Sequence, residues 1–201
     1  MPFRALNLSP EMLKAVADAG YTEPTPIQVA AIPLISAGHD IIGIAQTGTG
    51  KTAAFVLPIL MKLAASKQKS QRRVPRALVV APTRELVVQI EENVRAYAKH
   101  VPLRMATVFG GVSERPQIEA LRSGVDLVVA TPGRLIDLMD QRVANLSGIE
   151  FLVLDEADRM LDMGFLPALR RVVLITHYGC AHDGHRALSL RRTRSVQQLL
   201  A

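Results

Sequence analysis

Short apolar runs alternate with amphipathic stretches along most of the chain. Runs rich in valine, leucine and isoleucine predict buried strands, whereas apolar residues at helical spacing predict helices. The predicted strands lie at residues 41–44, 77–81, 105–109, 126–130 and 151–154. The predicted helices after the second of these strands lie at residues 84–99, 115–122, 135–140 and 159–173. This alternation is typical of an α/β fold whose parallel sheet has helices on both faces and binds ligands at the carboxyl ends of its strands.

Two short helices are predicted ahead of the first strand. Ser9 and Thr25 are each followed by proline, which combines an N-cap residue with the residue favoured at the first helical position. Gly20 and Gly38 follow at the distance where a glycine ends a helix.

A glycine-rich loop lies between the strand predicted at residues 41–44 and a further helical stretch. This order of strand, loop and helix is that of a phosphate-binding P-loop. Its glycines let backbone N–H groups face phosphates, Lys51 can reach the β- and γ-phosphates, and the Thr52 hydroxyl can bind Mg²⁺. The alternative is an ordinary glycine turn, since the strict motif begins with glycine where this chain has alanine. The predicted phosphate-binding residues are Ala45, Gln46, Thr47, Gly48, Thr49, Gly50, Lys51 and Thr52.

Three acidic residues follow the last predicted strand. An apolar strand that ends in paired acids is what a P-loop NTPase uses opposite its phosphate loop. In this interpretation Asp155 holds Mg²⁺, Glu156 orients and polarises the attacking water, and Asp158 relays hydrogen bonds. Lys51 completes the catalytic set by neutralising phosphate charge. The alternative is a solvated helix start, because acids favour helix N-termini.

The formal net charge of +6 on 201 residues is unevenly distributed. Residues 67–76 carry +5 and residues 177–201 carry +3, which leaves −2 on the rest of the chain. Both clusters are interpreted as a solvated loop and a solvated tail rather than a nucleic-acid patch. The single cysteine, Cys180, excludes an internal disulfide framework, and no apolar run approaches the ~18 residues of a membrane span. We therefore expect a cytoplasmic protein without a membrane partner.

Residues 155–158 read Asp-Glu-Ala-Asp, and together with the P-loop they resemble the first RecA-like domain of a bacterial-type DEAD-box ATP-dependent RNA helicase. Residues 20–28 have the form of that family's adenine-sensing motif, and Phe3 lies 17 residues before Gly20. The resemblance implies that ATP and Mg²⁺ are cofactors. It also implies that Gln28 hydrogen-bonds the adenine edge, which an amide can match bidentately, with Phe3 stacked nearby and Tyr21 in the same nucleotide-binding set.

Three further stretches resemble the RNA-facing motifs of the family, and each follows a predicted strand. Threonine hydroxyls, arginine side chains and helix N-terminal N–H groups all bind phosphates. The resemblance therefore implies contacts to the RNA backbone with weak sequence preference, and the 2′-hydroxyl is the group that can separate RNA from DNA. The alternative is that these residues are only helix N-caps. The predicted RNA-binding residues are Pro82, Thr83, Arg84, Gly110, Gly111, Thr131, Pro132, Gly133 and Arg134.

The resemblance ends near Thr176. The strand that ends in Ser-Ala-Thr in the family is absent, which is expected to leave unpaired strand edges, and residues 186–190 are the candidate surrogate strand. Four potential zinc ligands in the tail lack a standard spacing and are interpreted as solvated. They are His177, Cys180, His182 and His185. The predicted domains are a RecA-like ATP-binding domain at residues 1–176, with its adenine-sensing region at 1–29, and a divergent tail at 177–201.

Three functions follow from these observations. The leading hypothesis is a helicase domain with RNA-stimulated ATP hydrolysis. Because the family's second RecA-like domain and its arginine fingers are not in this sequence, we expect weak nucleotide binding and negligible unwinding unless another chain supplies that domain. The second hypothesis is a truncated, non-catalytic remnant that binds nucleotide or RNA. A third, a DNA translocase, is disfavoured by the adenine-sensing motif.

Overall fold

The structure is a computed structural model that describes residues 2–46, 48–65 and 74–179. The chain divides into two compact units, which are described separately. Unit 1 contains Met1–Lys69 and Ile90–Leu103, and unit 2 contains Ser70–Gln89 and Arg104–Ala201.

Eight helices and four strands are found among the described residues, after a short 3-10 helix at Phe3–Leu6. The helices are α1 (Pro10–Asp18), α2 (Pro26–Ala37), α3 (Lys51–Ala65), α4 (Arg84–Tyr97), α5 (Arg115–Ser123), α6 (Pro132–Asp140), α7 (Ala157–Asp162) and α8 (Leu166–Gly179). The strands are β1 (Ala77–Val80), β2 (Met105–Val108), β3 (Leu127–Ala130) and β4 (Phe151–Leu154). Within the described residues, no helix is both long enough and apolar enough to cross a membrane.

Helices α1 and α2 begin and end where the sequence predicts. The Ser9 hydroxyl accepts a hydrogen bond from the Met12 N–H at 3.5 Å and caps α1. Gly38 ends α2 in the left-handed conformation, with φ of 88°. Helices α2 and α3 pack against each other, and Ile32 and Leu57 are fully buried.

Unit 2 contains a four-stranded sheet in the order β2-β3-β1-β4, and every pairing in it is parallel. All residues of the two inner strands, β3 and β1, are buried. In β2 buried residues alternate with half-buried ones, and every residue of β4 is half-buried. The core of unit 2 joins these strands to the apolar sides of α5, α6 and α8 through residues such as Leu121, Leu135 and Val172. The predicted α/β class with a parallel sheet is therefore confirmed.

The strand predicted at residues 41–44, which we call the lead-in segment, is not formed. Its backbone pairs with no strand among the described residues, and Ile42 and Ile44 are 70% and 93% exposed. The prediction was wrong because an apolar run indicates a preference for burial, whereas a strand also needs a neighbouring strand to pair with its backbone.

The helical stretch predicted at residues 159–173 is divided in two. Gly164, with φ of 81°, separates α7 from α8, and a glycine in the left-handed region is a usual helix end. Helix α8 then continues to Gly179, past the predicted domain boundary at residue 176. The surrogate strand predicted at residues 186–190 lies outside the described residues.

Candidate functional site

The P-loop residues form a tight turn directly ahead of α3. Gly48 and Gly50 have φ of 80° and 85°, a region that disfavours residues with a side chain. The Thr49 hydroxyl donates to the Gln46 carbonyl at 2.7 Å and closes the turn. Thr47 lies outside the described residues, and Ala45 is half-buried at the start of the turn.

The N-terminus of α3 has the features of a phosphate site. The helix is 15 residues long and begins at Lys51, so its first backbone N–H groups and the positive end of its dipole lie at the turn. A Cβ atom added at Gly48 would meet nothing within 4 Å, which leaves open space beside the turn. Lys51 and Thr52 are only partly buried. These residues fit a nucleotide phosphate with its Mg²⁺ ion.

Gln28 is held by the P-loop and by its own helix start. Its side chain is 2% exposed, its Oε1 accepts from the Thr25 N–H at 3.0 Å, and its Nε2 donates to the Gly50 carbonyl at 3.1 Å. A Cβ atom at Gly50 would lie 2.3 Å from that Nε2 atom, so only glycine permits this approach. The structure therefore places Gln28 against the P-loop backbone, and its predicted contact with adenine stays a prediction.

Phe3 and Tyr21 line one cavity of about 560 Å³, together with Arg4 and Lys14. Phe3 is buried, whereas Tyr21 is exposed, and its ring centroid lies 6.3 Å from that of Tyr97. Burial raises the pKa of the Tyr97 hydroxyl, which lies 3.4 Å from the Tyr21 hydroxyl. The structure thus brings two of the three predicted base-binding residues together, while Gln28 does not line this cavity.

The acidic residues of unit 2 follow β4. The Asp155 N–H donates to the Val80 carbonyl at 2.9 Å, so Asp155 continues the pairing of β4 with β1. Glu156 is in the left-handed region, with φ of 51° and ψ of 49°, and its Oε2 lies 3.2 Å from Arg159 Nη1. A side chain in this region costs about 1–2 kcal/mol, so Glu156 stores strain at a predicted catalytic position. Asp158 is exposed in the first turn of α7.

Two of the predicted RNA-binding motifs lie at helix starts beside the carboxyl ends of inner strands. The Thr83 hydroxyl accepts from the Leu86 N–H at 3.3 Å and caps α4, and Pro82 beside it is buried. Thr131 is the N-cap residue of α6, and its N–H donates to the Val108 carbonyl at 2.9 Å. Pro132 is buried behind it, and Gly133 is exposed with nothing within 4 Å of a Cβ position. The N-cap interpretation and the RNA interpretation are compatible at these positions.

The third predicted motif, Gly110 with Gly111, lies in the loop after β2, where both glycines are exposed. Two predicted RNA-binding arginines contact this loop. The Arg84 guanidinium lies 5.1 Å from the centroid of the Phe109 ring, and both Nη atoms of Arg134 donate to the Val112 carbonyl at 3.4 Å. The structure therefore brings a residue of all three motifs to residues 109–113, which we call the 109–113 loop.

Sequence reasoning missed Gln117 and Phe109. Gln117 is 8% exposed on α5, and its side-chain amide binds the backbone of the 109–113 loop. No sequence signal distinguishes this glutamine from a solvated one on an amphipathic helix. By contrast, the contact between Gln28 and Thr25 was detectable, because threonine followed three residues later by glutamine is a capping-box signature.

Comparisons with known proteins give one consistent result. The family model "DEAD/DEAH box helicase" matches residues 25–189. The chain is 48% identical over 171 residues to DEAD-box ATP-dependent RNA helicase 30 of Arabidopsis thaliana, an alignment that covers 85% of this chain and 29% of that protein. It is 47% identical over 173 residues to DEAD-box ATP-dependent RNA helicase CshA of Streptococcus pneumoniae, with 86% of this chain and 32% of that protein covered.

A solved structure, that of a hypothetical ATP-dependent RNA helicase from Sulfolobus tokodaii, superposes with a TM-score of 0.75 at 36% identity. The match covers 83% of this chain and 46% of that one. The chain thus spans about a third of the length of these curated relatives and less than half of this structural neighbour.

Proposed function

Because the chain belongs to the DEAD/DEAH box helicase family, we propose that it binds ATP with Mg²⁺ at its P-loop and hydrolyses ATP in a reaction that RNA stimulates. The observation that supports this proposal best is the start of α3. Two glycines with positive φ, open space beside Gly48 and the Lys51-Thr52 pair at the helix N-terminus together suit a nucleotide phosphate chain.

Each catalytic residue has a separate task in this proposal. A bound magnesium nucleotide supplies an electrophilic γ-phosphate whose charge the ion partly neutralises. Lys51 neutralises further phosphate charge, and Thr52 and Asp155 hold the metal. Glu156 orients and polarises the attacking water, and Asp158 hydrogen-bonds to neighbouring groups.

Recognition of the base is proposed for Phe3, Tyr21 and Gln28. Phe3 and Tyr21 already line one cavity. The Gln28 Oε1 accepts one hydrogen bond and its Nε2 donates one, and each atom can form a second. The amide can therefore contact adenine while Nε2 still donates to the Gly50 carbonyl.

RNA binding is proposed for the surface that includes Arg84, Arg134 and the 109–113 loop. Both arginines have a planar guanidinium whose N–H groups can bind a phosphate, and Gly110 and Gly111, which have no side chains, let a phosphate approach the backbone. We propose contacts to the RNA backbone with weak sequence preference, in a cytoplasmic protein. Duplex unwinding is proposed only together with a second helicase domain.

A second candidate is a domain that binds nucleotide or RNA without turnover. The unpaired lead-in segment favours this candidate, because the P-loop then lacks the strand that precedes it in the predicted arrangement. RNA-stimulated ATP turnover, which only the first candidate predicts, separates the two.

The first experiment is a thermal melt with and without Mg²⁺-ATP. A ligand that binds only the folded state stabilises it, and at a concentration ~100 times Kd we expect Tm to rise by about 5–10 °C. Lys51→Ala should abolish the rise, whereas Lys62→Ala, in the last turn of the same helix, should keep it. An unchanged Tm in the parent chain, or an equal rise in Lys51→Ala, would contradict nucleotide binding at the P-loop.

A further inference from the structure

Gln117 binds both ends of the 109–113 loop with one amide group. Its Oε1 accepts from the Phe109 N–H at 3.2 Å, and its Nε2 donates to the Phe109 carbonyl at 3.0 Å and to the Ser113 carbonyl at 3.4 Å. Phe109 directly follows β2, which is an edge strand of the sheet. The amide therefore replaces a neighbouring strand as the hydrogen-bond partner of the Phe109 backbone.

The loop that Gln117 holds is in turn the support of two arginines. The Phe109 ring faces the Arg84 guanidinium at 5.1 Å, within the range of a cation–π interaction. The Val112 carbonyl accepts from both Nη atoms of Arg134. The Gln117 amide binds the loop backbone and the two arginines bind other atoms of the same loop, so the loop is the link between them.

We propose that Gln117 is a positioning residue for RNA binding, which sets the 109–113 loop so that Arg84 and Arg134 present their charges to RNA phosphates. This inference rests on the proposed RNA binding of the chain. A neutral side chain that both donates and accepts is required, because Gln117 must serve an N–H and two carbonyl groups at once. An ionised carboxylate at this position accepts only, and it would repel both carbonyl oxygens.

The test compares Gln117→Glu and Gln117→Met with the parent chain, with a fluorescein-labelled single-stranded oligouridylate as the RNA. Asn145→Asp is the matched control, since it adds the same charge at an exposed position of unit 2 and keeps the side-chain oxygen that accepts from the Ser147 N–H. Affinity is measured by fluorescence anisotropy from about pH 5.5 to 8.5 and over a salt series. The charged groups around the loop include Arg84, Arg134, Glu114 and Arg115.

We expect Gln117→Glu to bind RNA about tenfold more weakly than the parent at the high end of the pH range, which is the loss of roughly one charged hydrogen bond. Burial raises the pKa of a carboxyl group, so its protonated form should return as the pH falls. That form again donates and accepts, and the affinity should recover toward the parent value. Gln117→Met should bind weakly at every pH, with a salt dependence whose slope is smaller by ~0.7 for each RNA phosphate that the variant no longer binds.

A folded Gln117 variant with the affinity and salt dependence of the parent at all pH values would overturn the inference. So would a Gln117→Glu profile that runs parallel to that of Asn145→Asp. If Gln117→Met unfolds, the pH series of Gln117→Glu decides the question within one protein when its Tm is followed at the same pH values, since a purely structural role predicts that affinity is lost only where the protein unfolds. Failure of the parent chain itself to bind the RNA would overturn the proposed RNA binding, and this inference with it.

Discussion

Strand β3 and the lead-in segment are both four-residue apolar runs that lead into a predicted binding loop, yet only β3 is a strand. β3 pairs with β1 on one side and β2 on the other, and all of its residues are buried. The lead-in segment pairs with no strand in the part of the chain that the structure describes, and Ile44 is almost fully exposed. The difference shows that apolar composition selects which segments can become strands, while the neighbouring strands decide which of them do.

The two loops are accordingly held in different ways. Thr131, after β3, donates its N–H to the carbonyl of Val108, so the ladder of the sheet extends into the loop. The P-loop is held from its other end, by the turn into α3 and by the contact between Gln28 and Gly50. A strand therefore supports the proposed RNA site, whereas a side-chain contact supports the proposed nucleotide site.

The largest expected difference in stability is between two variants that each truncate one apolar side chain, one in β3 and one in the lead-in segment. Leu127→Ala, in β3, should lower the free energy of unfolding by about 2–5 kcal/mol because it leaves a cavity in the core of the sheet. Ile44→Ala should change it by ~0.5 kcal/mol or less because its side chain is already in water. Urea denaturation of both variants measures the difference. Equal losses would mean that Ile44 is buried in solution and that the contrast between the runs is wrong.

An intermediate effect is expected at the P-loop glycines. Gly50→Ala should destabilise the protein by about 2 kcal/mol or more, because the left-handed backbone is strained by a side chain and the new Cβ collides with the Gln28 amide. Gly48 has a similar positive φ, but a Cβ atom added there meets no atom within 4 Å. Gly48→Ala should therefore cost only the backbone strain of about 1 kcal/mol.

Thermal melts of both variants with and without Mg²⁺-ATP provide the measurement. We expect Gly50→Ala to lose most of the ATP-dependent rise in Tm. Indistinguishable behaviour of the two variants would show that the contact between Gln28 and Gly50 does not support the loop.

The smallest expected effect is at Asp40, directly before the lead-in segment. Although Asp40 is exposed at the surface, partial desolvation raises the pKa of its carboxyl above the ordinary value of 3.8. The folded state therefore holds the proton more tightly than the unfolded state, so stability falls as the pH rises through this range and stays lower above it. Asp40→Asn should raise Tm by no more than about 2 °C at neutral pH, and the gain should shrink as the pH falls toward 4.

Thermal melts across this pH range check the prediction, with Asp162→Asn, in the last turn of α7, as a control for the loss of one negative charge. A gain of the same size at every pH would show that ionisation of Asp40 is not its cause.

The strands of unit 2 were predictable from sequence because each is paired and buried in the way that its apolar residues indicate. β4 agrees with the prediction residue for residue, and β1, β2 and β3 are each one residue shorter than predicted. The prediction of a strand at the lead-in segment failed because the composition of a segment contains no information about which strand would pair with it. Gly164 could have predicted the division between α7 and α8, but the apolar residues at helical spacing on both sides of it indicated one continuous helix.

The candidate site was predictable where its chemistry depends on short motifs. The P-loop turn and its glycines occur where the motif predicts, and so do the helix starts at Thr83 and Thr131. Contacts between residues far apart in sequence were not predictable. Gln28 with Gly50 and Arg84 with Phe109 are of this kind, because periodicity identifies the face of a helix but not the atom that it meets.

Because Glu156 has a left-handed backbone, selection for stability and selection for the proposed ATP turnover should favour different residues at this position. Asparagine and glycine adopt this conformation at lower cost than glutamate, and the ion pair with Arg159 that either would lose is a surface pair of small value. A library sorted only for heat resistance should therefore accumulate asparagine or glycine at position 156. A library sorted for the proposed ATP turnover should retain glutamate, so the residue found there after each regime records which property was under selection.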